Sequence, residues 1–247
     1  MRSVSAAELL DLWEWGARRH PVERGLALLA AAWPERSLDE LARLPIGRRD
    51  SQLLRLRSEL FGAALDVRTA CPGCGEALGL ALETSDLIAS AGPVEDAVPS
   101  EPQTLETGGR LIRFRLPDSL DLLDALSAPE PRRALLARCV LESQSPGAEQ
   151  PGAAALSAET EAALAARMDA LDPLATAALS LTCPACGHGW AAPLDVLSYV
   201  WSEIDAWALR TLREVHWLAS SYGWRETDIL ALGARRRQAY LQVSGYA

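Results

Sequence analysis

The strongest constraint on this chain is a pattern that occurs twice, Cys71-Pro72-Gly73-Cys74-Gly75 and Cys183-Pro184-Ala185-Cys186-Gly187. Two cysteines separated by two residues can turn both thiolates of one loop toward a single ion. The glycine that follows lets the backbone leave the turn in a conformation closed to most residues. Strand-like segments flank each turn, residues 65–69 and 77–82 for the first, 178–182 and 190–194 for the second. Strand, knuckle, strand, repeated, predicts a zinc ribbon in which each hairpin supplies two thiolates. With 108 residues between Cys74 and Cys183, the ribbon is split and closes around a mostly helical insert. Cys71, Cys74, Cys183 and Cys186 are the expected zinc ligands. Four thiolates leave the ion no position for water or substrate, so the expected site is structural.

Other readings of the cysteines fit less well. A redox pair belongs at the start of a helix after a strand, whereas strand-like residues follow both glycines. Disulfides suit exported chains, and the N-terminal residues hold no hydrophobic signal region. His188 is an alternative ligand, expected beside the site because four cysteines are at hand. Cys139 lies on an apolar helical stretch and reads as a small buried residue.

Apolar residues make up 49% of the 247, enough for a sizeable core. No apolar run approaches the roughly 20 residues that span a bilayer, so the expectation is a cytoplasmic chain with no membrane partner. The net charge of −9 argues against nucleic acid, whose binders carry a basic face. All 24 basic side chains are arginine. The Arg235-Arg236-Arg237 run and the arginines of residues 110–116 are the places where a nucleic-acid-binding or regulatory zinc-ribbon module would act.

The pattern along the chain predicts a mainly α (α+β) fold, a helical array with the split four-cysteine ribbon and one small β-hairpin. Ser5 with Glu8 and Ser37 with Glu40 are capping boxes. Helices are expected through residues 5–20, 21–33, 37–45 and 50–61, with Gly62 as a stop. Residues 90–103 read as a linker. Gly108-Gly109 reads as the turn of a hairpin that continues to residue 116. Asp118 then opens a short helix, and further helices are expected over 130–141 and 157–171, with 143–155 as loop. From about Asp195, the spacing of Leu197, Trp201, Ile204, Ala208, Leu212, Val215 and Leu218 predicts one long amphipathic helix ending at Gly223. Two shorter helices follow. The segments group as N-terminal helices 1–62, ribbon 63–86 with 175–194, hairpin region 87–126, helical insert 127–174 and C-terminal helices 195–247, in one interlocked unit.

No phosphate loop, nucleophile elbow or paired-histidine motif occurs, and His20, His188 and His216 are scattered. The expectation is a chain that is not an enzyme. Trp207, Arg210 and Trp224 lie off the apolar stripe of the long helix or just beyond it, and are the candidates for partner binding.

Several stretches resemble one family. They are Leu10-Asp11-Leu12-Trp13-Glu14-Trp15-Gly16, the alanine-leucine helix of 21–34, Leu44-Pro45-Ile46-Gly47-Arg48-Arg49-Asp50 and Phe114-Arg115-Leu116-Pro117-Asp118-Ser119. Residues 183–190, 201–204, 214–219, 222–224 and 229–232 continue the likeness. Together they resemble the baseplate protein, or hub-assembly-chaperone, family of contractile phage tails and phage-tail-like extracellular injection systems. The likeness covers both ends of the chain and leaves out 127–172. It implies a role in building a contractile particle, with other baseplate or hub proteins as partners, and it carries over no catalytic residue.

Overall fold

The computed structural model describes residues 1–90, 101–144 and 156–245. In chain order it runs α1 (Ala6–Gly16), α2 (Pro21–Ala32), α3 (Leu38–Ala42), α4 (Ile46–Phe61), β1 (Ala64–Ala70), β2 (Ala77–Glu83) and α5 (Thr84–Ser90). The insert follows as β3 (Gln103–Thr107), β4 (Arg110–Phe114), α6 (Ser119–Ala125), α7 (Pro131–Cys139), β5 (Val140–Gln144) and α8 (Ala158–Leu171). A 3-10 turn (Pro173–Thr176) leads to β6 (Ala178–Thr182), β7 (Gly189–Pro193), α9 (Val196–Tyr222), α10 (Glu226–Leu230) and α11 (Ala234–Val243). Helix dominates, and the strands form small antiparallel sheets.

The chain divides into two compact units, Met1–Pro34 with Leu197–Ala247, and Glu35–Val196. This differs from a single interlocked unit with residues 1–62 together, because the first four helices are shared between two cores. In the first unit Trp13 Nε1 donates to Asp205 Oδ1 at 2.8 Å, and the ring of Trp201 lies over Gly16, where a Cβ would collide with it. Val215, Leu218, Ile229 and Leu241 form an apolar cluster flanked by Tyr222, Trp224 and Tyr240.

In the second unit more than half of α4 is buried although it carries arginines. Its Leu53, Leu54 and Leu56 are core, while Arg49 and Arg57 are covered with their charges paired or hydrogen bonded. A separate core gathers Ile112, Phe114, Leu116, Leu136, Cys139, Leu164 and Met168. Its sheet has the order β3-β4-β5. The β3–β4 turn places Gly108 at φ +56° and Gly109 at φ +71°, the two positive φ values that a tight hairpin turn requires.

Three boundaries differ from those read in the sequence. The helix expected to reach residue 141 stops at Cys139, and Val140–Gln144 becomes β5. There Val140 pairs with Phe114 and Ile112 with Ser143, so unpaired backbone on β4 captures a segment whose local pattern reads as helix. Helix α4 begins at Ile46, four residues before the expected start, because Pro45 at its N-cap has no N–H to leave unpaired. Helix α5 continues straight from β2 over Thr84–Ser90, for most of which no element was expected, with Thr84 donating to Ala63 O through both N–H and Oγ. The linker residues 91–100 and the loop residues 145–155 lie outside the described residues.

Candidate metal centre

Each pair of cysteines is set by a hairpin and its tip. The β1–β2 ladder runs from Ala64↔Glu83 to Ala70↔Ala77, and the β6–β7 ladder from Ala178↔Pro193 to Thr182↔Gly189. Beyond each ladder the backbone closes in the same way. Cys71 N donates to Glu76 O at 2.8 Å and Gly75 N to Cys71 O at 2.8 Å; Cys183 N donates to His188 O and Gly187 N to Cys183 O, both at 2.9 Å. Gly75 has φ +78° and Gly187 φ +73°, so both glycines use a conformation that a side chain would oppose.

The two tips bring all four thiols together although the pairs are over a hundred residues apart. Cys71 Sγ lies 3.7 Å from Cys186 Sγ, Cys74 Sγ lies 3.6 Å from Cys183 Sγ, and all four sulfurs fall within 4.8 Å of one another. A tetrahedral ion with metal–sulfur bonds of about 2.3 Å sets its sulfurs about 3.8 Å apart. The cluster is therefore the right size for one ion, and far too wide for the roughly 2.05 Å of a disulfide. Each knuckle contributes one buried cysteine, Cys71 or Cys183, and one exposed cysteine, Cys74 or Cys186. Gly73 N donates to Cys71 Sγ at 3.3 Å.

The thiols resist ionising together. Desolvation acts most strongly on Cys183 and would raise it, but the backbone N–H groups of Cys186 and Ala185 and the thiols of Cys74 and Cys71 outweigh it, and the group falls to about 7. At Cys74 the backbone bond with Glu76 lowers the thiol, yet its bonds with Cys186, Cys183 and Cys71 push it up to about 12. The Cys183 thiolate forms readily, while the thiols of Cys74 and Cys186 are pushed up by their sulfur neighbours. A cation at the centre removes that repulsion and admits four thiolates.

His188 is exposed and stands outside the cluster. Its ring stacks near Trp190 with centroids 6.1 Å apart, and its side chain lies against Gly73 of the other knuckle. Cys139 is fully buried in the insert core, and burial pushes its thiol up to about 12. It belongs to packing, as its apolar helical setting suggests.

The tryptophan and arginine candidates separate. Arg210 is exposed and Trp207 half-buried. Trp224 is taken up by its own unit, with its ring 4.7 Å from Tyr222 and 4.9 Å from Tyr240. Exposed apolar side chains on α9 are instead Leu209, Leu212 and Trp217. Of the arginine run, Arg235 and Arg236 are exposed and the third is taken up by packing. Arg237 is buried, and its Nε donates to Glu214 Oε2 at 2.9 Å. On β4 and beyond, Arg113 pairs with Glu142, and Arg115 donates to both oxygens of the buried Asp121.

A buried polar joint was not legible as a site in the sequence. Arg49 Nε donates to Asp50 Oδ1 at 2.7 Å and Arg49 Nη1 to Ser119 Oγ at 3.2 Å. Ile46 N donates to Pro117 O at 3.2 Å, and Gly47 N to Asp172 Oδ2 at 2.8 Å. Stretches 44–50 and 114–119, both conspicuous as motifs, are thus two sides of one contact. The available signal was the charged Arg49-Asp50 pair leading directly into the apolar face of a helix.

Among the described residues no helix is long and apolar enough to cross a membrane. The chain matches no protein-family model, no curated protein and no solved structure.

Proposed function

We propose that this chain is a non-enzymatic baseplate component or hub assembly chaperone of a contractile phage tail or tail-like injection system. In this reading one structural zinc ion is held by Cys71, Cys74, Cys183 and Cys186. The observation that carries it is the closed set of four sulfurs at tetrahedral spacing, donated by two matched knuckles. A tetrahedral four-sulfur set suits zinc or an iron centre. Zinc is the ion of ribbons that only hold the chain together, and a closed shell offers no reacting position.

The assembly half of the proposal rests on the resemblance of the sequence motifs. Its physical support is that stretches 44–50 and 114–119 meet in one buried joint, which is what motifs kept for architecture rather than chemistry would do. Baseplate or hub proteins would dock on exposed apolar and arginine side chains of α9, Leu209, Leu212 and Trp217 with Arg210, and on Trp207 at its edge. The pairing of Arg113, Arg115 and Arg237 with carboxylates removes donors that phosphate binding would need.

Metal analysis of protein purified without chelator should give one zinc per chain and a colourless solution; absence of metal, or an iron spectrum, would remove the zinc assignment. Deletion of the gene in its host should leave particles without a proper baseplate. Normal contractile particles in the deletion strain would refute the assembly role. Retardation of DNA or RNA at low salt would favour the nucleic-acid reading instead.

A further inference from the structure

We propose that the solvent face of α9 pairs antiparallel with the same face of a second copy of this chain. The face lies wholly within the unit of Met1–Pro34 with Leu197–Ala247. One stripe of α9, Val200, Ile204, Ala208, Thr211, Val215 and Leu218, is buried. Away from that stripe the helix exposes Leu209, Leu212 and Trp217. Among the described residues no other helix or strand exposes more than one large apolar side chain. Single apolar side chains on a surface need no partner, whereas a group of them on one helix face marks an interaction site.

The order of residues along the face identifies the occupant. Asp205, Leu209, Leu212 and His216 are all exposed and follow one another at steps of four, three and four. Those steps keep them on one narrow seam of the kind that pairs helices. The spacing reads the same in both directions, while the ends differ in chemistry: a carboxylate at one, an imidazole with Arg213 close by at the other. In an antiparallel pair with its two-fold axis between the leucines, Leu209 meets Leu212 of the second copy and Asp205 meets His216 of the second copy. A parallel pair would instead set Asp205 against Asp205 and His216 against His216. A two-fold contact requires a face complementary to itself, and this one is so in spacing and in charge. Asp205 Oδ1 accepts from Trp13 Nε1 at 2.8 Å, which fixes the carboxylate and leaves Oδ2 for a donor across the axis. At the other end Arg213 is exposed and forms no ion pair among the described residues, because the adjacent Glu214 is taken by Arg237 and Gln238. The inference does not rest on the assembly role; a hub protein using the same leucines would have to displace the second copy.

Sedimentation equilibrium of the full metal-loaded chain over a range of concentrations tests it. The parent should form a dimer, because the contact closes on itself. Leu209→Glu should raise the dissociation constant about tenfold or more by setting carboxylates in the apolar centre. Leu212→Glu should do the same and serves should the first variant not fold; unchanged metal content and circular dichroism check both. His216→Asp should weaken the dimer by placing a second carboxylate against Asp205, and Asp205→His by placing two imidazoles together. Mixed in equal amounts, those two variants should associate again, since every carboxylate then meets an imidazole. A parent that stays monomeric up to about 1 mM, a dimer that survives both glutamate variants, or a mixture no more associated than its components would overturn the proposal.

Discussion

Asp172 keeps a carboxylate where water does not reach, and burial pushes it up to about 6 from an ordinary 3.8, with Gly47 N–H and Arg49 only partly compensating. The folded chain thus holds this proton more tightly than the unfolded chain. Ionisation therefore weakens the fold progressively as pH rises from about 4 to about 6, and the penalty is complete at neutrality. Its size is on the order of 3 kcal/mol. Asp172→Asn should raise stability at pH 7 by up to that amount, with the gain disappearing below about pH 4; paired urea midpoints at the two pH values check both sign and window. Cys139 is a buried residue of a different kind. Its thiol is pushed up to about 12, by burial first and then by Asp121, so it should stay unmodified by iodoacetamide in the native chain. Cys139→Ala should keep the full metal content while losing about 1 kcal/mol or more through the small cavity left behind. Loss of metal in that variant would mean that the cysteines had been wrongly divided.

At the scale of elements, packing reverses what propensity would favour. A glycine near the end of an exposed helix would gain about 1 kcal/mol from alanine. Gly16 closes α1 against the ring of Trp201, and Arg24 lies over that ring, 4.6 Å from its centroid. Arg24 is itself fixed by a 2.8 Å bond to Gly16 O. Gly16→Ala should therefore cost about 1–3 kcal/mol through overpacking, measured as a lower melting temperature. The same substitution beside Trp201→Leu should be neutral or stabilising, because the obstructing ring is gone. Strand β5 follows the same logic. Residues 140–144 have little strand character of their own, and the free edge of β4 recruits them.

For the whole molecule, chain connectivity makes the metal matter. The Glu35–Val196 unit is inserted between the two halves of the other, and within it the ion would close a loop from Cys71 to Cys186. Closing a loop that long restricts the unfolded chain far more than any local contact, and binding energy at a structural site becomes folding energy. Removal of the ion by chelator, or Cys71→Ser, should lower the melting temperature by several degrees or more and free the remaining cluster thiols to titration. A Cys71→Ser chain that melts with the parent would contradict the coupling.

Local chemistry carried much of this in the sequence alone. The two knuckles, the capping boxes at Ser5 and Ser37, the glycine turn at 108–109 and the stripe of α9 are each written within a few residues, because spacing and backbone freedom act at short range. Tertiary structure alone decided the rest. It placed Trp224 among Tyr222 and Tyr240, buried Arg237 on Glu214, drew residues 140–144 into a sheet and divided the first four helices between two units. It also joined Gly47, Ser119 and Asp172 around one polar contact. None of these has a local signature, since each depends on which surface a distant segment presents.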